Sequence, residues 1–527
     1  MKIKNILLGL LAATTLALAS CQDGLDIPKH GNMGGQEDYY KTDDEAEAAS
    51  AAMYASWSGS LYNWILSKNL LSDDVWCGGG SRGDNSDMER LNEYTFDTDH
   101  GMIESLYSGY YGIIYNANLI IEKVTPDTPC KARCVAEAYF FRGWAHFELA
   151  SLFGTAPVVD HLLNPDEYRK GNSTQEELYT QAEKDFKAAI DSKALPSKSG
   201  VDDDATTIRV TNELAKAMLG KAYLFDNKAA EAATALDEVI NSGKYALYRG
   251  DLDQLLHAAC NNNCEWLLQG QKRNDQEQAW TQFTMTYIML GWRTELLNLG
   301  DLSGTIGSGT YGFLNPQKGL YDAFVAAEGD NGYRLRATLR TYDSLNKEYG
   351  VALNSGNRLV GCEGILGWKY RLLKEDCITD QSFFQVLQYT NLPVMRYAEV
   401  LLLAAEAHAK GGNAGKAAQY VNEVRDRAKL APLASVTLDD IKKEKRLELA
   451  MEAVRFQDLV RWGDAETALK DQGSKVPAFS VTAAGGVIDP AAFTNSNYGF
   501  QAKHKLLPIP RKEITLNANM QQNEGWK

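Results

Sequence analysis

Apolar residues recur at helical spacing over most of this chain, which predicts a mostly α-helical protein. The stretch from 131 to 152 is apolar nearly all round, as expected of a buried helix. Thr42 is expected to cap the first helix, and Ser173 with Glu176 to form a capping box for a helix ending near Ile190. The other segments with helical periodicity are 42–57, 103–124, 211–225, 228–241, 395–410 and 414–428.

The helical pattern is interrupted in two places. Residues 58–101 look irregular, with glycines at 78–80 and 83. Between 243 and 394, glycines, tyrosines and short mixed segments replace the periodic runs, and segments 265–269 and 368–370 are expected to be short strands. Irregular segments this long inside a helical protein are usually functional. We therefore divide the folded part into a helical region 42–242, a loop-rich insert 243–394 predicted to carry the ligand face, and a helical region 395–527.

Two helix pairs carry the spacing of the tetratricopeptide repeat. Gly220 is expected to let the first pair approach closely, with Ala232 facing it from the partner helix. The matching positions are Leu219, Gly220, Tyr223, Ala232 and Leu236, then Ala405, His408, Ala417 and Val421. Such repeats often form a concave binding surface, but these two are far apart in sequence. We favour a plain helical scaffold.

The first twenty-one residues have the pattern of an export signal. Lys2 and Lys4 precede an apolar run that is too short to span a bilayer. The run ends at Leu18-Ala19-Ser20-Cys21, which resembles the lipobox of bacterial lipoproteins; an ordinary signal peptide is the alternative. As a lipoprotein, the chain would lose residues 1–20, carry lipid on Cys21, and continue through a polar spacer at 21–41. Each buried methylene of the lipid would contribute about 0.8 kcal/mol to membrane attachment.

Charge and cysteine content limit the possible partners and cross-links. The formal net charge is −15 and the acidic residues are dispersed, which argues against nucleic acid. In an exported protein the cysteines can pair, and a four-residue spacing on a helix lies within disulfide reach. Three arrangements remain open, namely disulfides, a four-thiolate zinc site made by the first two pairs, and buried free thiols. The residues concerned are Cys130 with Cys134, Cys260 with Cys264, Cys362 with Cys377, and the single Cys77.

No familiar catalytic or cofactor motif is found in the sequence. It has neither a His-Glu-x-x-His metal motif nor a Gly-x-Ser-x-Gly nucleophile motif. Residues 307–312 match the dinucleotide fingerprint, but no strand precedes them and Pro316 follows where a helix should begin. The acidic turn at 201–204 lacks the ligand spacing of a calcium loop. We therefore predict no catalytic residue, no metal and no cofactor, and calcium has no support.

Several stretches resemble the SusD/RagB family. They span nearly the whole chain after Cys21, in the order expected of the family. Departures are few: Lys445 stands where an acid is common, and Ala453 where glycine is common. The matching stretches are 136–157, 393–407, 421–428, 441–463 and 507–523. In the fourth stretch, Glu452, Arg455, Asp458 and Arg461 recur every third residue, which predicts a stripe of opposite charges that can pair.

The resemblance implies a function. Members of this family are cell-surface, outer-membrane lipoproteins that bind glycan. They lie over a SusC-like TonB-dependent transporter, act like a lid, and pass oligosaccharide inward without breaking bonds. Two alternatives are a surface glycosidase and an assembly subunit of the transporter that binds no ligand.

A sugar site needs flat aromatic surfaces beside a few fixed polar groups. Two irregular regions offer both, although no family motif fixes these positions. Asp73 and Asp74 could instead brace a turn, and Trp280 and Trp292 could belong to the core. The candidate ligand-binding residues are Asp73, Asp74, Trp76, Arg82 and Asn85 in the first region, and Trp280, Trp292 and Tyr311 in the insert.

Overall fold

The computed structural model describes residues 39–378 and 385–526. The predicted signal peptide, Cys21 and nearly all of the spacer lie outside these residues. Helices before the insert are α1 (Asp43–Leu70), α2 (Ser86–Asn92), α3 (Gly101–Lys123), α4 (Pro129–Leu152), α5 (Gln175–Asp191), α6 (Asn212–Phe225) and α7 (Ala229–Asn241). Later helices are α8 (Ala279–Gln282), α9 (Met285–Leu290), α10 (Lys318–Glu328), α11 (Tyr333–Thr338), α12 (Tyr342–Tyr349), α13 (Tyr397–Lys410), α14 (Ala414–Arg427), α15 (Leu438–Glu448), α16 (Arg455–Trp462), α17 (Ala465–Leu469) and α18 (Arg511–Leu516).

The strands are short. They are β1 (Val75–Cys77), β2 (Trp266–Gly270), β3 (Leu297–Asn298), β4 (Leu314–Pro316), β5 (Leu339–Thr341), β6 (Ala352–Leu353), β7 (Leu359–Val360), β8 (Ile365–Gly367), β9 (Leu392–Arg396), β10 (Lys475–Thr482) and β11 (Gly485–Thr494). Antiparallel pairs join β1 to β4, β2 to β9, β3 to β6 and β5 to β8, and a three-stranded sheet has the order β11-β10-β7. This confirms the prediction of a mostly helical fold with short strands.

Three local predictions were wrong. Helix α1 continues to Leu70, because Leu61 and Trp64 keep the buried face going beyond residue 57. The capping box before α5 is formed by Thr174 and Glu177, one residue later than predicted. Segment 265–269 does contribute to strand β2, whereas segment 368–370 follows β8 as a turn.

The helical scaffold has an aromatic core. Trp144 of α4 lies 6.2 Å from Trp57 and 6.4 Å from Trp64, ring centre to ring centre, and all three are nearly inaccessible. The apolar character of α4 on every side therefore reflects burial by α1, α3 and α5. None of the described helices is both long and apolar enough to cross a bilayer.

The two repeat-like helix pairs lie side by side. In the first pair, a Cβ at Gly220 would meet the Leu236 side chain, so Leu236 packs directly on the glycine. Asp237 of α7 accepts hydrogen bonds from His408 Nε2 at 3.0 Å and from Tyr420 OH at 2.7 Å. The pairs are thus joined by a polar contact although some 170 residues separate them.

Buried ion pairs attach the insert to the C-terminal helices. Arg334 of α11 contacts Glu444 at 2.7 Å and Glu448 at 2.9 Å, and Lys369 contacts Glu452 at 2.7 Å. The predicted charge stripe is only partly realised. Asp458 and Arg461 do pair at 2.7 Å, but Glu452 precedes α16 and Arg455 binds Asp73 instead. These charges therefore link separate parts of the chain.

The described cysteines are free thiols. Cys130 and Cys134 are grouped with Glu47, whereas the four-thiolate zinc hypothesis required them to meet Cys260 and Cys264. Of the three arrangements left open, the described cysteines therefore form neither disulfides nor the four-thiolate site. The free cysteines are Cys77, Cys130, Cys134, Cys260, Cys264, Cys362 and Cys377.

Candidate functional site

The two regions predicted to bind ligand meet in the structure. Strand β1 pairs with β4 so that Trp76 lies opposite Asn315. The pairing continues into the following loop, where Gly78 N donates to Phe313 O and Gly79 N to Gly312 O, both at 2.9 Å. Loop 78–85 and segment 311–313 therefore form one surface, which we call the β1–β4 rim.

Backbone at the base of this rim is packed directly on backbone. A Cβ at Gly78 would overlap the carbonyl oxygen of Gly312, and a Cβ at Gly361 would overlap that of Cys77. Only glycine permits such close approach. Three distant segments of the chain are thereby held in one fixed arrangement.

Tyr311 provides the exposed aromatic face of the rim. Its ring is 43% exposed and lies edge-to-face on the buried ring of Phe313, with centres 6.4 Å apart. Arg293 Nη1 donates to Tyr311 O at 3.3 Å and lies 3.9 Å from a carboxylate oxygen of Asp84. Arg293 also pairs with Glu295. An exposed tyrosine is therefore joined through its backbone carbonyl to a cation that has two carboxylates around it, and all of these side chains are partly accessible.

Arg82 and the C-terminal hairpin complete one end of the rim. Arg82 pairs with Glu93 and lies 3.5 Å from Glu89, and its side chain is 26% exposed. Its guanidinium lies 5.8 Å from the ring centre of Phe493 in β11. Part of the hydrogen-bonding capacity of Arg82 is therefore already used, and its contact with a ligand stays a prediction.

Trp76 is more enclosed than predicted. It is half-buried in β1, and its Nε1 donates to Glu363 Oε2 at 2.9 Å. Lys318 N donates to the same oxygen at 2.7 Å. A ligand can reach only part of the indole, so its contact with ligand stays a prediction.

Asp73 and Asp74 are structural, which corrects their assignment as ligand-binding residues. Arg455 binds Asp73 at 2.8 and 3.0 Å, and Arg446 binds Asp74 at 2.8 Å. Asp74 is 1% exposed. Burial alone would raise the pKa of Asp73, but the hydrogen bond and charge of Arg455, with the charge of Arg446, lower it. These carboxylates hold the rim on the C-terminal helices.

Two further candidates are also structural. Trp292 is 4% exposed, packs on Trp368 with centres 5.9 Å apart, and donates from Nε1 to Gly367 O at 3.0 Å. Asn85 caps α2 by accepting from Met88 N at 3.1 Å. Trp280 is 61% exposed and lies on α8 with its ring against Phe283. Phe283 in turn packs on a separate small cluster that contains Ala279, Ile378 and Leu387, so Trp280 stands apart from the rim.

The sequence analysis missed Arg293, Asp84 and Glu295. No signal in the sequence marked Arg293, because neighbouring side chains in an irregular segment have no fixed alternation between core and solvent. Asp84 orders the loop by accepting from Gly80 N at 2.7 Å, a contact that no sequence spacing reveals.

A cavity of about 660 Å³ lies elsewhere, between residues 96–98 and the C-terminal tail. Its aromatic wall, Trp526, is only 8% exposed. Arg511 at its edge pairs with Asp99 at 2.8 Å. The aromatic wall of the cavity is therefore covered, whereas Tyr311 on the β1–β4 rim is open to solvent.

A rigid helical scaffold with an open aromatic and polar rim is typical of a binding protein. Comparison with known proteins identifies the family. The model of the SusD family matches residues 386–526, and the model described as "Starch-binding associating with outer membrane" matches residues 43–224. The chain belongs to the SusD/RagB family.

Relatives and solved structures agree with this assignment. A SusD-like protein of Bacteroides ovatus is 26% identical, over 86% of this chain and 81% of its own length. The starch-binding protein SusD of Bacteroides thetaiotaomicron is 24% identical, over 84% and 82%. The structure of a laminarin-binding SusD-like protein matches with a TM-score of 0.76 and 28% identity, covering 92% of this chain and 100% of that one.

Proposed function

We propose that this protein captures oligosaccharide on the β1–β4 rim. The observation that carries the proposal is the exposed ring of Tyr311 held beside Arg293 and Asp84. A sugar ring presents an apolar C–H face edged by hydroxyls, so it would stack on the tyrosine while its hydroxyls bond the charged rim. The laminarin-binding and starch-binding relatives support a neutral glucan as the ligand class.

The rim can be tested by isothermal calorimetry of the full-length protein with laminarin and with starch. Removing a stacked aromatic in Tyr311→Ala should cost about 1–2 kcal/mol, a weakening of about five- to thirtyfold. The matched control is Tyr168→Ala, because Tyr168 is 65% exposed and lies outside the rim. Trp280→Ala tests the separate exposed tryptophan. Wild-type affinity in Tyr311→Ala, or a loss confined to Trp280→Ala, would reject the rim as the site.

We propose further that the protein is anchored in the outer membrane through lipid on Cys21, facing outward. There it would deliver ligand to a SusC-like TonB-dependent transporter. The lipobox pattern supports the anchor, and the name of the matching family model supports the membrane. A tether raises the effective concentration of captured glycan near the transporter, so weak binding suffices. Metabolic labelling with a palmitate analogue should mark the wild type and not Cys21→Ala. Co-purification of a SusC-like transporter with this protein from membranes tests the proposed partner.

Binding without bond cleavage is the third part of the proposal. The glycan-binding relatives support it, and a glycosidase predicts new reducing ends when the protein is incubated with laminarin or starch. Cleavage of laminarin or starch that is still seen with protein purified from an unrelated host would overturn the proposal of binding without bond cleavage. An assembly subunit without ligand predicts flat calorimetric traces together with intact co-purification.

A further inference from the structure

Glu47 of α1 meets two cysteines of α4 close to the start of the described chain. Cys130 and Cys134 are one helical turn apart, so both sulfurs lie on the same side of α4. Their sulfurs and one oxygen of Glu47 all lie within 4.8 Å of one another. Cys134 is buried, whereas Cys130 and Glu47 are partly exposed, so the group has a solvent entry.

The donor atoms are those of a zinc site. Thiolates favour borderline and soft cations such as Zn²⁺ over Mg²⁺ and Ca²⁺, which take oxygen. In tetrahedral geometry, Zn–S bonds of about 2.3 Å place two sulfur ligands about 3.8 Å apart. The three donor atoms therefore need to move by less than an ångström to share one ion.

The surroundings supply the second layer of contacts that zinc ligands require. Glu47 Oε2 accepts from Arg209 Nη2 at 2.8 Å, which orients the carboxylate and leaves Oε1 for a cation. At present that oxygen binds Arg133, whose Nη2 also lies 3.7 Å from Cys130 Sγ and 3.9 Å from Cys134 Sγ. The guanidinium thus occupies the position among the three donors that a cation would take.

Arg133 has another partner available. Its Nε lies 3.7 Å from Glu137 Oε1, and Glu137 is completely buried. Arg209 Nη1 already pairs with both oxygens of Glu137 at 3.2 Å, so that carboxylate stays paired whether or not the Arg133 guanidinium moves toward it. A metal ion can therefore enter without leaving a buried charge alone.

We propose that Glu47, Cys130 and Cys134 form a zinc site, with one coordination position open to solvent. Binding breaks two S–H bonds and displaces water from the hydrated ion, forms two Zn–S bonds and one Zn–O bond to Glu47, and releases two protons to water, with no change in oxidation state. The ion would tie the first turns of α1 to the first turns of α4. It would stabilise the helix that follows the spacer.

The test uses full-length protein, kept reduced with a phosphine and stripped of metal by a chelator. Zinc binding is measured by competition with a chromogenic chelator, and Co²⁺ is the spectroscopic probe. Wild type should bind one Zn²⁺ that is lost in C130S/C134S, and E47Q should weaken binding by at least about tenfold. Co²⁺ should give a thiolate charge-transfer band that also disappears in C130S/C134S. The matched control is C260S/C264S, a pair with the same spacing, which should bind zinc like wild type.

R133Q separates this site from fortuitous thiol binding. Because it removes the cation that competes for the three donors, it should bind zinc several-fold more tightly than wild type. Zinc binding that persists in C130S/C134S, that is lost equally in C260S/C264S, or that is absent from reduced wild type would overturn the proposal. Weaker binding in R133Q would overturn the displacement of Arg133. Circular dichroism of each metal-free variant shows whether it is folded.

Discussion

Arg396→Met would remove the central cation of the buried network that attaches the insert to the C-terminal helices. Arg396 is 2% exposed. Its nitrogens lie 2.7 Å from Glu265, 2.6 Å from Glu448, and 2.7 and 2.9 Å from the two oxygens of Glu452. Methionine fills part of the same space but leaves these carboxylates without their shared donor.

The cost follows from what is left behind. Glu265 keeps Arg427 at 3.0 Å, Glu448 keeps Arg334 at 2.9 Å, and Glu452 keeps Lys369 at 2.7 Å. Complete isolation of a buried charge is thus avoided, yet an excess negative charge remains away from water. Removing one partner from a buried ion network costs about 3–5 kcal/mol. That is a large share of the total stability typical of folded proteins, which is about 5–15 kcal/mol.

Guanidinium unfolding followed by tryptophan fluorescence measures this loss. The matched control is Arg249→Met, because Arg249 pairs with Asp426 at 2.7 Å on the surface, with side chains 57% and 74% exposed. Such an exposed pair is worth about 0–1 kcal/mol. If Arg396→Met lowers the free energy of unfolding by no more than Arg249→Met does, the network does not hold the insert in place and our account of the fold is wrong.

Other substitutions test the remaining parts of the structure. Burial opposes ionisation of Glu448, but the charges of Arg427 and Arg396 outweigh burial and lower its pKa. The ionised carboxylate therefore contributes fully to the free energy of unfolding above its unfolded pKa of about 4.3, and this contribution is lost as pH falls through the lower folded pKa. Glu448→Gln should accordingly flatten the acid side of the stability–pH curve, and an unchanged slope would contradict this. Gly78→Ala should lower both the melting temperature and glycan affinity, since its Cβ would overlap the backbone opposite; wild-type values for both would show that the rim is not so constrained. Trp292→Ala should lower the free energy of unfolding by about 3–5 kcal/mol, because it removes a buried aromatic. Trp280→Ala should lower it by less than about 0.5 kcal/mol, because that side chain is exposed. Equal losses in denaturant unfolding would refute the difference in burial.

Helical periodicity was sufficient to predict most of the scaffold, because α3, α4, α6, α7, α13 and α14 each bury a continuous stripe. It failed at residues 58–70, where serine, asparagine and lysine are buried in α1 beside the apolar residues. Periodicity treats such residues as solvent-exposed. Their burial depends on partners distant in sequence, as when Lys68 lies 3.5 Å from Glu148.

The candidate site was only partly predictable, for a related reason. Composition identified loop 73–85 and the insert, and the structure brings Arg82 and Tyr311 to one rim. Composition could not distinguish Asp74 from Asp84, since both are acids in the same loop. The distinction is made by Arg446, which lies more than 350 residues away in sequence and binds only the first.

The glycine contacts under the rim separate two tasks that many binding sites combine. Backbone atoms at Gly78 and Gly361 fix the shape of the rim, while Tyr311 presents an exposed side chain above them. Exchanging Tyr311 changes the chemistry offered to a ligand without disturbing the backbone packing beneath. The β1–β4 rim can therefore acquire a preference for a different sugar through substitution at its surface, while its backbone architecture stays the same.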